Sequence, residues 1–521
     1  MDNFLQKIQS FFLRVISGVG LIVFLFLTYY SWRYTVRLLP DENVLDVRDN
    51  AWITLLILSM ICIVFWGSGK LAERFLRKGM LTLALVVALV MMVTAWIFVN
   101  DAATFAVMDQ VQVYQAAIAL AEGNGAILQA QPYYVAYSHQ LFLADLIAAV
   151  FRLTGTTEEI LIYHIQAVLV GMTAFAGFGV TRELFPNRKA ELFALILPLI
   201  FFPMRVYASY FYGETLGVCA SLYAIWFFLR MNRRDEKAGF ILLYGALTAL
   251  CVCLAVMARN ALLIVWIAMC IIQILLVIKR RKVLPLLMIF AALTLYLGGM
   301  QLVGSSLEKR TGIRQEDGMP TILWVTMGFQ ENYRPGKGAG SYNYYNIELF
   351  EAMEYDGEAA AAYARQELQY RLKAWWKDPA DMAEFMRAKL LNQWNEPTYG
   401  CMIMTDYRGE SKEWVERLYE GGTAEWLFDF LKQYQAVTYL ILLTGFWMLF
   451  KKRQEPTHYL IGLITIGGFL FSAIWEAKSR YIYPYVVIAI PFISGSVSVW
   501  CDTLERSFKK GVQWITKHSN K

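Results

Sequence analysis

A small set of ionisable residues sits at the edges of long apolar runs. Asp101 and Asp109 lie in "VNDAATFAVMDQVQVYQ", Arg205 and Glu214 in "RVYASYFYGETLG", Arg259 and Asn260 in "AVMARNALLI", and Glu476, Lys478 and Arg480 in "WEAKSRYIYP". An ionisable group at membrane depth is costly and marks a functional site by default. A carboxylate there suits a general base, and guanidinium and ammonium groups suit an anionic oxygen such as phosphate. No lysine or arginine occurs between Lys78 and Arg152, so Asp109 has no cation nearby in sequence. Each residue also has a purely structural role open to it. Asp109 suits a helix N-cap, Glu214 the positive end of a helix dipole, and the arginines interfacial anchors whose stems lie along apolar surface. Asp101 reads as a span-end residue, and His139 and His164 read as structural rather than catalytic.

The elements that hold these residues are membrane helices. Hydrophobic residues make up 58% of the 521 and charged residues 17%, and mean hydropathy is +0.42, far from the roughly 25% charge of soluble domains. The formal charge of +6 comes from short basic clusters between apolar runs. That pattern reports topology rather than a nucleic-acid groove, and no nucleic-acid partner is expected. Six of the seven cysteines (Cys62, Cys219, Cys251, Cys253, Cys270 and Cys501) fall in or at apolar runs, which leaves Cys401 without a loop partner. With no CxxC or Cys/His spacing, no metal ligands are assigned.

Runs long enough for the ~30 Å hydrocarbon layer lie near 14–31, 51–67, 80–99, 160–180, 190–208, 213–231, 239–257, 260–278, 283–302, 436–450, 457–474 and 482–500. The first is too long for a signal-peptide core and lacks a cleavage site, so it reads as an uncleaved span behind a short interfacial stretch. The basic clusters at 69–78, 230–237, 279–282 and 451–454, with the tail from Arg506, place those loops in the cytoplasm. The stretch 138–151 fits this charge pattern only as a helix lying in the interface, with Asp145 and Arg152 at the surface. Twelve spans then leave both termini cytoplasmic. The large outer loops are 100–159 and 303–435; the second is an extracytoplasmic domain over 304–435, rich in Trp and Tyr and mainly helical, opened by a Gly/Tyr-rich loop.

In order, the features resemble the GT-C membrane glycosyltransferases, of the bacterial protein O-mannosyltransferase and aminoarabinose transferase type (glycosyltransferase family 39). "MDQVQVYQAAIALAEGN" is similar to that family's first acidic loop, and "YSHQLFLADLIAAVFRLTG" to its second juxtamembrane helix. "FFPMRVYASYFYGE" is similar to its Pro/Tyr/acidic loop, "ARN" to its arginine turn, and "AKSRYIYPYVV" to its closing Arg-Tyr-x-x-Pro. The resemblance runs from about residue 80 to the end. It implies an all-α polytopic membrane protein with a GT-C-like core of transmembrane and interfacial helices. The division it implies is 1–79 as two additional spans, 80–303 as catalytic core, 304–435 as external domain and 436–521 as closing spans and basic tail.

The same resemblance implies an inverting transferase in a bacterial plasma membrane. It would take a sugar from a lipid-linked polyprenyl-phosphate donor and pass it, on the outer face, to an envelope glycan, teichoic acid, lipid or protein. Asp109 is then the expected base, assisted by Glu214. Arg259, Arg480, Lys478 and Arg205 are expected on the donor phosphate, and Tyr114, His139, Tyr212 and Asn260 on substrate. Several members of the family carry two adjacent acids in the first loop, whereas Gln110 follows Asp109 here. No cofactor is expected and no divalent cation is indicated. The aromatic external domain is expected to cover the cleft and stack sugar rings. The rival classes are a transporter or flippase of a lipid-linked glycan, and a non-catalytic envelope scaffold. Transporters show paired repeats around a midplane site, and this chain has no internal symmetry.

Overall fold

A computed structural model of the protein describes residues 2–39, 43–72, 77–280, 283–314, 318–331, 336–452 and 454–519. Of the basic clusters, Arg74, Arg281, Lys282 and Arg453 lie outside these residues. So do residues 332–335 of the Gly/Tyr-rich loop, residues 520–521 of the tail, and the side chain of Cys62.

The chain is an all-α polytopic membrane protein. Among the described residues, ten helices are long and apolar enough to cross a bilayer. They are Phe4–Ser31, Trp52–Lys70, Gly79–Ala102, Glu159–Leu184, Glu214–Met231, Ala238–Ala258, Asn260–Arg280, Leu284–Thr311, Pro456–Ile474 and Tyr483–Ser507. The expected span near 190–208 is broken: Arg188–Ile200 and Pro203–Ser209 meet at 60°. Pro203 starts the second piece, where its missing N–H costs nothing and its ring cannot continue the first. The remaining expected span, 436–450, is the apolar end of one unbroken helix, Gly421–Lys451. The segment expected to end at residue 435 therefore does not stop there but passes into the bundle as a continuous rod.

Burial orders these helices. Tyr483–Ser507 is 89% buried over its most apolar window and forms the centre, whereas Leu284–Thr311 is 11% buried there and lies at the edge. Edge helices expose Leu85, Leu89, Leu295 and Leu302, a surface that is stable only against lipid. The helix Gln140–Thr154 takes in all but the first two residues of 138–151. At 15 residues it is about 22 Å long, short of the ~30 Å core. It packs on the helix Asp109–Ala121, and Arg310 holds it through a two-pronged bond to Asp145 at 2.7 and 2.9 Å.

The segment between Gly312 and Gly421 is helical, with helices Ile322–Gly328, Tyr345–Ala352, Gly357–Lys377, Pro379–Trp394 and Glu413–Tyr419. Aspartates start the two longest: Asp356 accepts from the N–H groups of Glu358 and Ala359, and Asp378 from those of Ala380 and Asp381. One hairpin went unforeseen. Strands β1 (Tyr34–Leu39) and β2 (Asn43–Arg48) pair antiparallel, with Tyr34 opposite Arg48. The hairpin is fastened to later parts of the chain. The Val36 N–H donates to the Asn395 carbonyl at 3.0 Å, and Arg37 grips Glu425 at 2.8 and 2.6 Å.

At another turn Glu455 gathers Lys279 at 2.7 Å, Arg234 at 2.9 Å and Arg280 at 3.4 Å. Partial burial pushes its carboxyl up, but the three cations outweigh this and hold it down to about 2. A depressed carboxylate stabilises the fold above its unfolded value near 4.5 and loses that contribution as pH falls toward 2. Glu455→Gln is expected to lower Tm at pH 7 by about 1–3 °C, the modest effect of a half-exposed ion cluster. The difference from wild type should shrink below pH 4; thermal melts of the purified protein across pH measure it.

Candidate active site

Several chain turns converge at one end of the bundle. Asp109 opens the helix Asp109–Ala121; the capping position is Met108, which makes no side-chain cap. The carboxylate thus lies in the first turn, near the positive end of the dipole, rather than serving as the N-cap. It accepts from the Tyr133 hydroxyl at 3.2 Å and faces Arg480 at 3.7 Å. That spacing is attraction between charges without a hydrogen bond. Its only ion-pair partner among the described residues therefore comes from the far end of the chain.

Arg480 is buried. It donates to the Tyr210 hydroxyl and lies 4.9 Å from the Tyr212 ring centre and 5.4 Å from that of Tyr481. Arg259 lies over the same two rings at 5.6 and 5.1 Å. Two like charges are thus kept close by the negative faces of two phenols and by one carboxylate each. The Arg480 Nε has no hydrogen-bond partner. Lys478 stands 3.4 Å from Glu476 and 5.0 Å from the Tyr342 ring centre.

Glu214 is the carboxylate behind Arg259, at 3.4 Å, and it is wholly buried. Gly213 puts it there. At φ 95° a side chain is strained, and a Cβ would stand 2.1 Å from the Ala258 carbonyl oxygen. The two turns can approach only because Gly213 has no side chain.

These groups border a cavity of about 1400 Å³. Of the candidate site residues, Asp109, His139, Tyr212, Arg259, Asn260, Lys478 and Arg480 line it. Three expected site residues do not. Glu214 sits behind Arg259 and is a counter-ion rather than a group open to the cavity. Arg205 points into the helix Gly79–Ala102, donating to Thr94 at 3.0 Å and meeting the Met91 sulfur at 3.1 Å. Tyr114 donates to the Thr157 carbonyl at 2.8 Å and packs on Phe151 and Phe211. For both, an apolar site near the membrane left the polar tip to find a partner inside the bundle. Asp101 accepts from the Trp414 indole at 2.9 Å and serves as a span-end tie. Burial and the charge of Arg259 push His139 down to about 4, so its ring is neutral at pH 7.

Sequence reasoning missed Glu396. Its carboxylate accepts from Thr398 N–H at 2.9 Å and from Gly400 N–H at 2.6 Å. This folds "NEPTYG" into a tight turn with Gly400 at φ 73° against Arg480. Burial pushes this carboxyl up against the pull of its donors. Pro397 and Gly400 signalled a turn, but nothing in the sequence tied it to Arg480. Tyr133, Tyr137, Trp324 and Trp475 were missed in the same way. Among the described residues no three His, Cys, Asp or Glu side chains gather as a metal site.

The fold and cavity define an integral membrane protein with a polar, aromatic-lined chamber at one end of its helices. The chain belongs to the family described as "Conserved hypothetical integral membrane protein", matched over residues 8–497. No curated protein matches the chain. No solved structure matches it either.

Gly213→Ala tests the close approach of the two turns. It is expected to lower Tm by about 3 °C or more through strain at positive φ and the displaced Ala258 carbonyl, read by thermal unfolding in detergent.

Proposed function

We propose that this chamber is the active centre of an inverting glycosyltransferase. The enzyme moves a sugar from a polyprenyl-phosphate donor to an envelope acceptor at the outer face of a bacterial plasma membrane. The observation that carries the reading is one carboxylate, Asp109, lining the same cavity as Arg480 and Arg259 and standing 3.7 Å from Arg480 without a hydrogen bond. The resemblance of the flanking motifs to the GT-C enzymes supports it, and basic clusters at the opposite helix ends support the orientation.

The chemistry needs little else. Asp109 takes the proton of the acceptor hydroxyl as its oxygen bonds to the sugar's anomeric carbon. The bond from that carbon to phosphate breaks on the opposite face, and the phosphate leaves with the electron pair. Arg480 and Arg259 hold the growing negative charge with donors already in place. Their own carboxylate partners balance the two cations, so the departing phosphate takes up guanidinium contacts that Asp109 releases on protonation. A single displacement inverts the anomeric carbon.

Asp109→Asn is expected to lower kcat by about 10²–10⁴-fold while leaving the donor KM within several-fold. Arg480→Gln should raise the donor KM and lower kcat together. Both are read as sugar transfer from polyprenyl-phosphate donors by purified protein in lipid discs. Wild-type rates from Asp109→Asn would sink the reading, and vectorial movement of the donor without any transfer product would favour a flippase. NMR of the product's anomeric configuration checks inversion.

A further inference from the structure

One wall of the chamber is aromatic. Trp324, from the external domain, lies parallel to Trp475, at the end of a span, with ring centres 5.9 Å apart and planes within 10°. Tyr137 meets Trp324 edge-on at 6.0 Å. Tyr342 lies beside Tyr344, with ring centres 4.7 Å apart. All five line the cavity and none is fully buried. Residues from the first external loop, the external domain and the last turn thus build one wall, and no packing need explains keeping it open.

Next to this wall stands Asn346, which has no exposed surface and borders the cavity beside Tyr137. Neither atom of its amide makes a hydrogen bond of good geometry, the nearby Tyr137 hydroxyl being poorly aligned with it. A buried amide left so is costly, and a ligand offering both donor and acceptor relieves it. Beside Tyr342, Lys478 is already matched with Glu476 at 3.4 Å. A polyanion would have to part that pair, whereas an uncharged ring with paired hydroxyls would not. Flat apolar sugar faces stack on aromatic rings, and vicinal hydroxyls both give and accept hydrogen bonds.

We propose that Tyr137, Trp324, Tyr342 and Trp475, with Asn346, form a subsite for an uncharged sugar ring, so that the acceptor is a neutral glycan. The subsite's position as an acceptor site rests on the transferase reading; its capacity to bind sugar does not. Glucose, mannose and N-acetylglucosamine tetrasaccharides are the probes, titrated calorimetrically into the full chain in lipid discs. The Asp109→Asn background prevents turnover, and poly(glycerol phosphate) is the anionic comparison.

At least one tetrasaccharide should bind, and more tightly than the polyanion. Trp324→Ala should weaken that binding at least tenfold, whereas Trp324→Tyr should keep it within about threefold. Asn346→Leu should weaken it several-fold. If Trp324→Ala fails to fold, Tyr342→Leu provides the second arm, with an expected loss of fivefold or more. Absence of binding by all three tetrasaccharides, tighter binding of the polyanion, or binding indifferent to the aromatic substitutions overturns the subsite. Sugar binding by a protein that transfers nothing leaves the subsite standing and removes the transferase. Transfer to a non-sugar acceptor does the reverse.

Discussion

Two guanidinium groups held close together under low dielectric must be neutralised, and every other feature of the chamber follows from how that is done. Arg259 and Arg480 share the faces of Tyr212 and Tyr481. Each has one carboxylate, Glu214 at 3.4 Å and Asp109 at 3.7 Å. Desolvating such charges is tolerable only with partners in place. The partners are not equivalent. Glu214 is sealed behind its arginine by the close contact at Gly213, so that pair is permanent. Asp109 opens onto the cavity and has no hydrogen bond to Arg480, so that pair is the one exposed to whatever enters the chamber. The asymmetry separates a sealed ion pair from an open one.

The rest of the fold serves to bring these four side chains together. Asp109 arrives on a short helix backed by Gln140–Thr154, which Arg310 pins through Asp145. Arg480 arrives on the turn before the most buried span, braced by Gly400 and the loop that Glu396 folds. The broken span near Pro203 lets Tyr207 donate to the Tyr399 carbonyl, tying a third element to that loop.

Much of this was legible in the residues. Every expected span but the broken one near 190–208 corresponds to a single helix, because about 20 apolar residues in a row admit few other fates. Seven expected site residues line one cavity, because ionisable groups at span ends have little reason to be there other than topology or chemistry. Arg205, Tyr114 and Glu214 look the same in sequence, yet they face inward, because the rotation of a helix about its axis is set by packing that no local pattern encodes. Glu396 was hidden for a related reason: a buried glutamate whose partners are backbone N–H groups of its own turn resembles any surface acid. The hairpin at 34–48 escaped because two six-residue strands between spans carry a weak signal. Half of its purpose lies at Asn395 and Glu425.

That hairpin also orders events in the life of the chain. It emerges among the first fifty residues, but the carbonyl it docks on belongs to Asn395. During synthesis the edge of β1 that faces away from β2 has no partner until more than three hundred later residues have been made. Contacts so distant in sequence form slowly, and an unpaired strand edge invites wrong neighbours in the interval. The first two helices, which tether the hairpin at the bilayer surface, keep that edge within reach of its eventual seat. The hairpin therefore lends Arg37 and Leu38 to the lining of the finished chamber and also sets an order in which its parts can come together.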